Sequence, residues 1–229
     1  MEAETFTVGI DVGGTFTDLF VWSSSGRVDT FKMLTTPEDP SVGVLDGLGA
    51  IAAAKGLEPR VLAGRVRTIV HGTTVTTNAV LTRRGAKVGL LTTEGVRDAL
   101  EMRRGIREAQ YDNRMRNVVP LAPRHLRRPV RGRIDGQGKE LEPLDLGDVR
   151  AAISTLEKEG VEAVAICFLN SFANPAHERA AAELVRAELP GTFVSASTEV
   201  LPTIRFYNRV STTVLGGFVG PVLRRYLEA

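Results

Sequence analysis

Apolar residues first recur at strand spacing. Residues 6–11 and 16–22 read as two short strands around a glycine turn, and "RVDTFKML" (27–34) reads as a third after the polar turn "SSSG". "TTPEDPS" breaks the pattern. Val44, Leu45, Leu48, Ile51 and Ala52 then recur at helical spacing up to Gly56, a plausible stop. "VRTIVHG" (66–72) predicts a buried strand, "VTTNAVLTRRG" (75–85) a short helix, and "AKVGLLTT" (86–93) another strand. This order predicts a mixed α/β layout.

Between Arg103 and Arg133 the periodicity fails, and long loops are expected. "VRGRID" and "GKELEPL" flank "DGQG", which predicts a hairpin. Val149, Ala152, Ile153 and Leu156 mark a helix face, and the apolar run "VEAVAICFL" (161–169) predicts a fully buried strand. Asn174 and Pro175 suit the cap and first position of a helix running to about Leu189, followed by the strand "TFVSAS". The segment from Glu199 to Ala229 reads as mostly helical, with Gly216, Gly217 and Pro221 expected to bend or split it.

Composition narrows the class. The chain has 229 residues, 43% hydrophobic and 24% charged, which is globular and enough for one large domain or two small ones. A net charge of +2 decides nothing about nucleic acid. A single cysteine, Cys167, excludes an internal disulfide and suggests a reducing, cytoplasmic setting. The N-terminal "MEAETFTVG" carries two acids and does not read as a signal peptide, and no apolar run suits a membrane span.

The candidate chemistry begins at "VGIDVGGTFTD" (8–18). A dinucleotide fingerprint needs a helix directly after its glycines, and a P-loop needs a lysine followed by serine or threonine; neither is present. What remains is a hairpin whose turn presents backbone N–H groups to an anion. Glycines allow close approach of a phosphate, and Thr15 and Thr17 add hydroxyls. Asp11 ends the first strand, placed to hold Mg²⁺ beside substrate phosphates. The plainer alternative is a hairpin turn with glycine for geometry alone.

"GIDVGGTFTD" looks like the first phosphate loop of the actin-like ATPase superfamily. With "HGTTVTTNAVLTRRGAKVGLLTTEGVRD" (71–98), "FLNSFANPAHE" (168–178) and "STTVLGGFVGPVLRRYL" (211–227), it resembles the N-terminal region of the hydantoinase A and 5-oxoprolinase family over essentially the whole chain. The resemblance implies an α/β fold: an actin-like (ribonuclease H-like) ATPase lobe with a mixed sheet over 1–129, a smaller α/β unit over 130–198, and a C-terminal helical segment over 199–229. It implies ATP and Mg²⁺ as cofactors and a lactam or ketone as substrate. Asp11 would be the metal-linked catalytic acid, and Gly13, Gly14, Thr15 and Thr17 would hold the β- and γ-phosphates. Thr74 would act in catalysis, with Thr73 and Asn78 near substrate; the alternative is that the threonines cap a helix and His71 is a core residue. Family members run several hundred residues further, and a second phosphate loop lies in that part. The expectation is therefore a piece of a longer or multi-subunit enzyme, inactive alone and prone to self-association, with no nucleic-acid or membrane partner. Its activity would be hydrolysis of cyclic amides of hydantoin or 5-oxoproline type; a ketone carboxylase subunit and a non-catalytic nucleotide-binding module are the alternatives.

Arginines crowd the irregular stretch (Arg103, Arg104, Arg107, Arg114, Arg116, Arg124, Arg127, Arg128, Arg131 and Arg133), with Glu108 and Asp112 as its opposing acids. A solvated loop or subunit contact is the favoured reading, and capture of a substrate carboxylate the sharper one. Cys167 reads as an inert core residue. His125 and His177 have no partner at metal-ligand spacing, and His177 reads as a first-turn surface residue.

Overall fold

The structure, a computed structural model, describes residues 3–36, 39–105, 109 and 111–228. The chain divides into two compact units, residues 1–84 with 222–229, and residues 85–221.

The first unit opens with three strands, β1 (Phe6–Val12), β2 (Phe16–Ser23) and β3 (Val28–Leu34). Two helices, α1 (Pro40–Ala54) and α2 (Pro59–Arg65), lead to β4 (Val66–Thr73), and α3 (Val75–Leu81) follows. The sheet order is β3-β2-β1-β4, with β1 antiparallel to β2 and parallel to β4. Strict alternation decides the packing. Phe6, Val8, Ile10 and Val12 of β1 share one face with Leu19 and Val21 of β2, and these pack with Ile51, Ala52 and Leu62 of α1 and α2. Asp39 caps α1 by accepting from the Ser41 amide at 3.0 Å, ahead of Pro40. This helix starts four residues before its apolar stripe, because the cap and proline set its beginning. α2 went unpredicted; seven residues are too few for a clear period.

The second unit holds a wholly parallel sheet. β5 (Val88–Thr93), β6 (Arg127–Val130), β9 (Ala163–Cys167) and β10 (Phe193–Ala196) run in the order β10-β9-β5-β6. Every residue of β5 and β9 is buried, as an apolar run in a parallel sheet requires. α4 (Ala99–Met102) lies between β5 and β6 in sequence. The expected hairpin is present as β7 (Arg133–Ile134) with β8 (Glu140–Glu142). α5 (Leu146–Lys158) buries Val149, Ala152, Ile153 and Leu156, and α6 (Ala176–Glu188) buries Ala181, Ala182 and Val185. The Asn174 side chain accepts from the Ala176 amide at 3.0 Å, but Pro175 takes the cap position, so both residues stand one place earlier than expected. A short α7 (Ser197–Val200) precedes the long α8 (Phe206–Glu228).

Three expectations change. β5 does not continue the first sheet; it pairs with β6 and β9, and the boundary expected at 129/130 falls inside β6. The stretch expected as long loops contains a 3₁₀ turn, Arg124–Leu126, and β6. α8 is neither split nor ended by its glycines. They serve close packing: a Cβ on Gly216 would lie 2.9 Å from Ser195 Oγ, and one on Gly220 2.4 Å from the Phe193 ring. Pro221, inside α8, stands where the second unit ends.

Candidate functional site

The candidate site lies at one end of the first unit's sheet. Asp11 is the last residue but one of β1, on the face away from α1. Its cross-strand neighbours are Gly72 of β4 and Asp18 of β2, and Asp18 in turn pairs with Lys32 at 2.7 Å. Asp11 is exposed, and among the described residues its carboxylate has no hydrogen-bond or ion-pair partner. Gly9 and Gly13 flank it along the chain and Gly72 faces it from β4, so on those three sides no side chain stands beside the carboxylate, while Asp18 faces it from β2.

The turn follows at once. The Gly13 amide donates to the Phe16 carbonyl at 2.9 Å and closes the hairpin. Neither Gly13 nor Gly14 has a positive φ, so their value is close approach rather than left-handed backbone. A Cβ on Gly14 would lie 3.3 Å from Asn78 Nδ2. Asn78 Nδ2 donates to Thr74 Oγ1 at 3.4 Å, and Thr74 Oγ1 donates to the Val12 carbonyl at 3.3 Å. Thr15 is exposed, and its carbonyl accepts from the Thr35 amide.

Asp11, Gly13, Gly14 and Thr15 are thus brought together with Thr74 and Asn78. Two expected residues stand apart. Thr17 is fully buried on the opposite face, its hydroxyl 3.0 Å from that of Thr35, because its place in β2 turns it toward α1. Thr73 Oγ1 accepts from the Val75 amide at 3.2 Å and so shapes the start of α3. His71 is exposed rather than buried, with Nε2 2.5 Å from the Tyr226 hydroxyl; burial raises the Tyr226 pKa above its ordinary value.

In the second unit, Glu178 is fully buried and accepts from four donors. Its Oε1 takes the Phe168 amide at 2.8 Å, Ser171 Oγ at 2.7 Å and Ser197 Oγ at 2.6 Å, and its Oε2 takes the Thr198 amide at 2.9 Å. Buried Arg209 donates to Ser171 Oγ at 2.8 Å and to the Phe168 carbonyl. Sequence reading missed both; the partners are scattered over more than forty residues, and only the side-chain types hint at them. Burial pushes the Cys167 thiol up to about 12, consistent with an inert core residue. His177 is buried, not on the surface, with Nε2 2.8 Å from Glu140 Oε2.

The arginine-rich stretch finds its counter-charges outside itself. Arg124 pairs with Asp98, Arg127 with Glu101 and Asp98, and Arg131 with Asp145 and Asp148. Hydrogen bonds from Arg124 and then Arg97 hold the Asp98 carboxyl down at about 2. Arg107 and Glu108 lie outside the described residues. Among the described residues, no helix is long and apolar enough to cross a membrane.

The fold is α/β, with a mixed sheet, a parallel sheet and the two-stranded β7-β8 hairpin among the described residues. The chain belongs to the hydantoinase/oxoprolinase family, whose N-terminal region matches residues 7–189. It is 44% identical to the caprolactamase subunit alpha of Pseudomonas jessenii over 100% of this chain and 33% of that protein. The crystal structure of the ATP-dependent caprolactamase from Pseudomonas jessenii superposes with a TM-score of 0.88 over 97% of this chain and 32% of that one. The acetophenone carboxylase gamma subunit of Aromatoleum aromaticum is 38% identical over 93% of this chain and 31% of its own length. A nucleotide-free acetone carboxylase structure, 29% identical, also has a TM-score of 0.88, over 99% of this chain and 34% of that one. The chain spans about a third of the length of these relatives.

Proposed function

We propose that this chain is the nucleotide-phosphate-binding part of an ATP-dependent enzyme that opens cyclic amides. The observation that carries the reading is the unpartnered Asp11 carboxylate, bordered by glycines on three sides and followed by the Gly13–Thr15 turn. An exposed acid with open space on three sides suits Mg²⁺, which binds through one or two carboxylates and otherwise through water and phosphate oxygens. Asp11 would hold the metal, directly or through water. The turn would let phosphate oxygens approach the backbone at Gly14 and Thr15. Thr74 and Asn78 offer a hydroxyl and an amide beside it. Thr17 would support the turn from beneath rather than touch phosphate.

A lactam amide is a poor electrophile, and ATP would supply the phosphoryl group that activates its carbonyl oxygen. The P. jessenii relative, named for caprolactam and ATP, favours this substrate class. A second reading, a subunit of a ketone carboxylase, is favoured by the acetophenone and acetone carboxylase relatives. The same activation of a carbonyl or enolate oxygen would serve both. In either reading the remaining polypeptide supplies the rest of the nucleotide site, and this chain alone turns over no lactam.

The test is titration of the chain with Mg·ATP beside a thermal melt. Asp11→Asn is expected to weaken binding by about tenfold or more, equivalent to about 1.4 kcal/mol, with the melt unchanged. Equal affinity in variant and parent would remove Asp11 from the site. Product assays with a lactam, and with a ketone plus bicarbonate, on the chain joined by its partner polypeptide separate the two substrate readings.

A further inference from the structure

One row of side chains crosses the outer face of the first unit's sheet. The register aligns Gly72 of β4, Asp11 of β1, Asp18 of β2 and Lys32 of β3. Strand alternation turns Asp11, Asp18 and Lys32 to the same face, away from α1. Asp11 and Asp18 are direct cross-strand partners, and like charges placed so repel. Their surroundings draw them apart. Asp11 Oδ1 lies on the β4 side, 3.6 Å from where a Cβ on Gly72 would stand. Asp18 has its counter-charge on the other side, with Lys32 Nζ donating to its Oδ1 at 2.7 Å. The same ammonium lies 4.8 Å from the centre of the Phe16 ring. Phe16 follows Thr15, and its carbonyl closes the glycine turn. Two contacts thus hold the Lys32 charge at the turn end of the sheet, across β2 from Asp11. Lys32 is exposed and Asp18 half-buried, and an ion pair so open to solvent contributes little to stability.

We propose that Lys32 is a further phosphate-binding residue of the Asp11 site and that Asp18 is its positioning residue. The proposal rests on the nucleotide reading of Asp11 and its turn. An ammonium binds phosphate as a point charge and needs no fixed fork, so a single cation held beside the turn is enough. Phosphate oxygens approaching Gly14 and Thr15 would have Lys32 on the β3 side and the metal held by Asp11 on the β1 side. Phosphoryl transfer asks the protein for that neutralisation of charge. Asp18 has a second effect. β1 and β3 lie about 10 Å apart, two strand spacings, which a lysine and an aspartate side chain together can span. Without Asp18, Lys32 would turn to Asp11 and occupy the carboxylate that the metal needs. The pair keeps the cation at the turn and leaves Asp11 open.

The probes are Mn²⁺ alone, followed by electron paramagnetic resonance, and Mg·ATP, followed by calorimetry, each beside a thermal melt of the same variant. Lys32→Met is expected to weaken Mg·ATP binding by about tenfold, while Mn²⁺ binds as tightly as in the parent or more tightly. Lys32→Arg should recover most of the loss. Asp18→Asn should weaken both ligands, Mn²⁺ by about tenfold. Adding Lys32→Met to Asp18→Asn should restore Mn²⁺ binding but not Mg·ATP binding. An ion pair that only braces the sheet produces neither the split nor the restoration. Equal Mg·ATP affinity in Lys32→Met and parent overturns the phosphate role. Full Mn²⁺ binding by Asp18→Asn overturns the positioning role. So does a double variant that stays weak for Mn²⁺, since Asp18 then touches the metal itself. If Asp11→Asn also binds Mg·ATP as the parent does, the nucleotide reading fails as a whole. A loss in Asp11→Asn with none in Lys32→Met sinks the Lys32 proposal and leaves that reading standing.

Discussion

Single side chains carry unequal weight here, and Glu178 carries the most. A carboxylate with four donors and no access to water cannot be replaced without leaving those donors unpaired. Glu178→Ala is expected to destabilise the second unit by about 3 kcal/mol or more, whereas Ser197→Ala should cost about 1 kcal/mol. Urea unfolding of each variant checks this. A loss below about 0.5 kcal/mol for Glu178→Ala would show that water replaces the network. Nothing local announces this residue: "NPAHE" reads as the first turn of an amphipathic helix, and its donors come from other elements. Asp11 was legible for the opposite reason. A lone acid at the end of an apolar strand, followed by two glycines, has few structural uses. Thr17 shows the limit of that reading. The motif groups it with Thr15, but strand alternation turns it to the other face.

At the scale of elements, hydrophobic period located the first three strands and α5, because each turns one face toward its core, buried in β1, β2 and α5 and half-buried in β3. It failed where charge replaced apolar pattern. β6 reads "RRPV", and its first residue, Arg127, is buried with Nε donating to the Ala122 carbonyl at 2.8 Å. Asp98 explains the tolerance, since it draws Arg97, Arg124 and Arg127 together ahead of α4. Its pH signature follows from its depressed pKa. The folded carboxyl titrates near 2, below its ordinary 3.8, so its contribution is complete above about pH 4 and is lost as pH falls through 2. Thermal melts of Asp98→Asn and the parent should therefore differ at pH 5–7, with the parent higher, and converge near pH 2. A gap that persists at pH 2 would assign the effect to something other than this ionisation.

At the scale of the whole molecule, one hydrophobic core lies around β1, β2 and α1 and a separate one around β5, β9, α5 and α6. Separate cores need not melt together. Calorimetry is expected to show two transitions, with Ile51→Ala lowering one and Ile153→Ala the other. One transition shifted by both variants would mean that the units unfold as a single body. The sequence placed a boundary at 129/130 because order visibly resumes there. The packing places it at 84/85, where β5 begins a new parallel sheet with no break in apolar pattern.

The second unit begins and ends at the same place. The Ala86 amide donates to the Phe218 carbonyl at 2.9 Å, and a Cβ on Gly85 would fall 2.3 Å from the Phe218 ring. A segment whose two ends touch has the geometry of an insertion, leaving its host and rejoining it at one place. Such a segment can be exchanged as a cassette without re-threading its host.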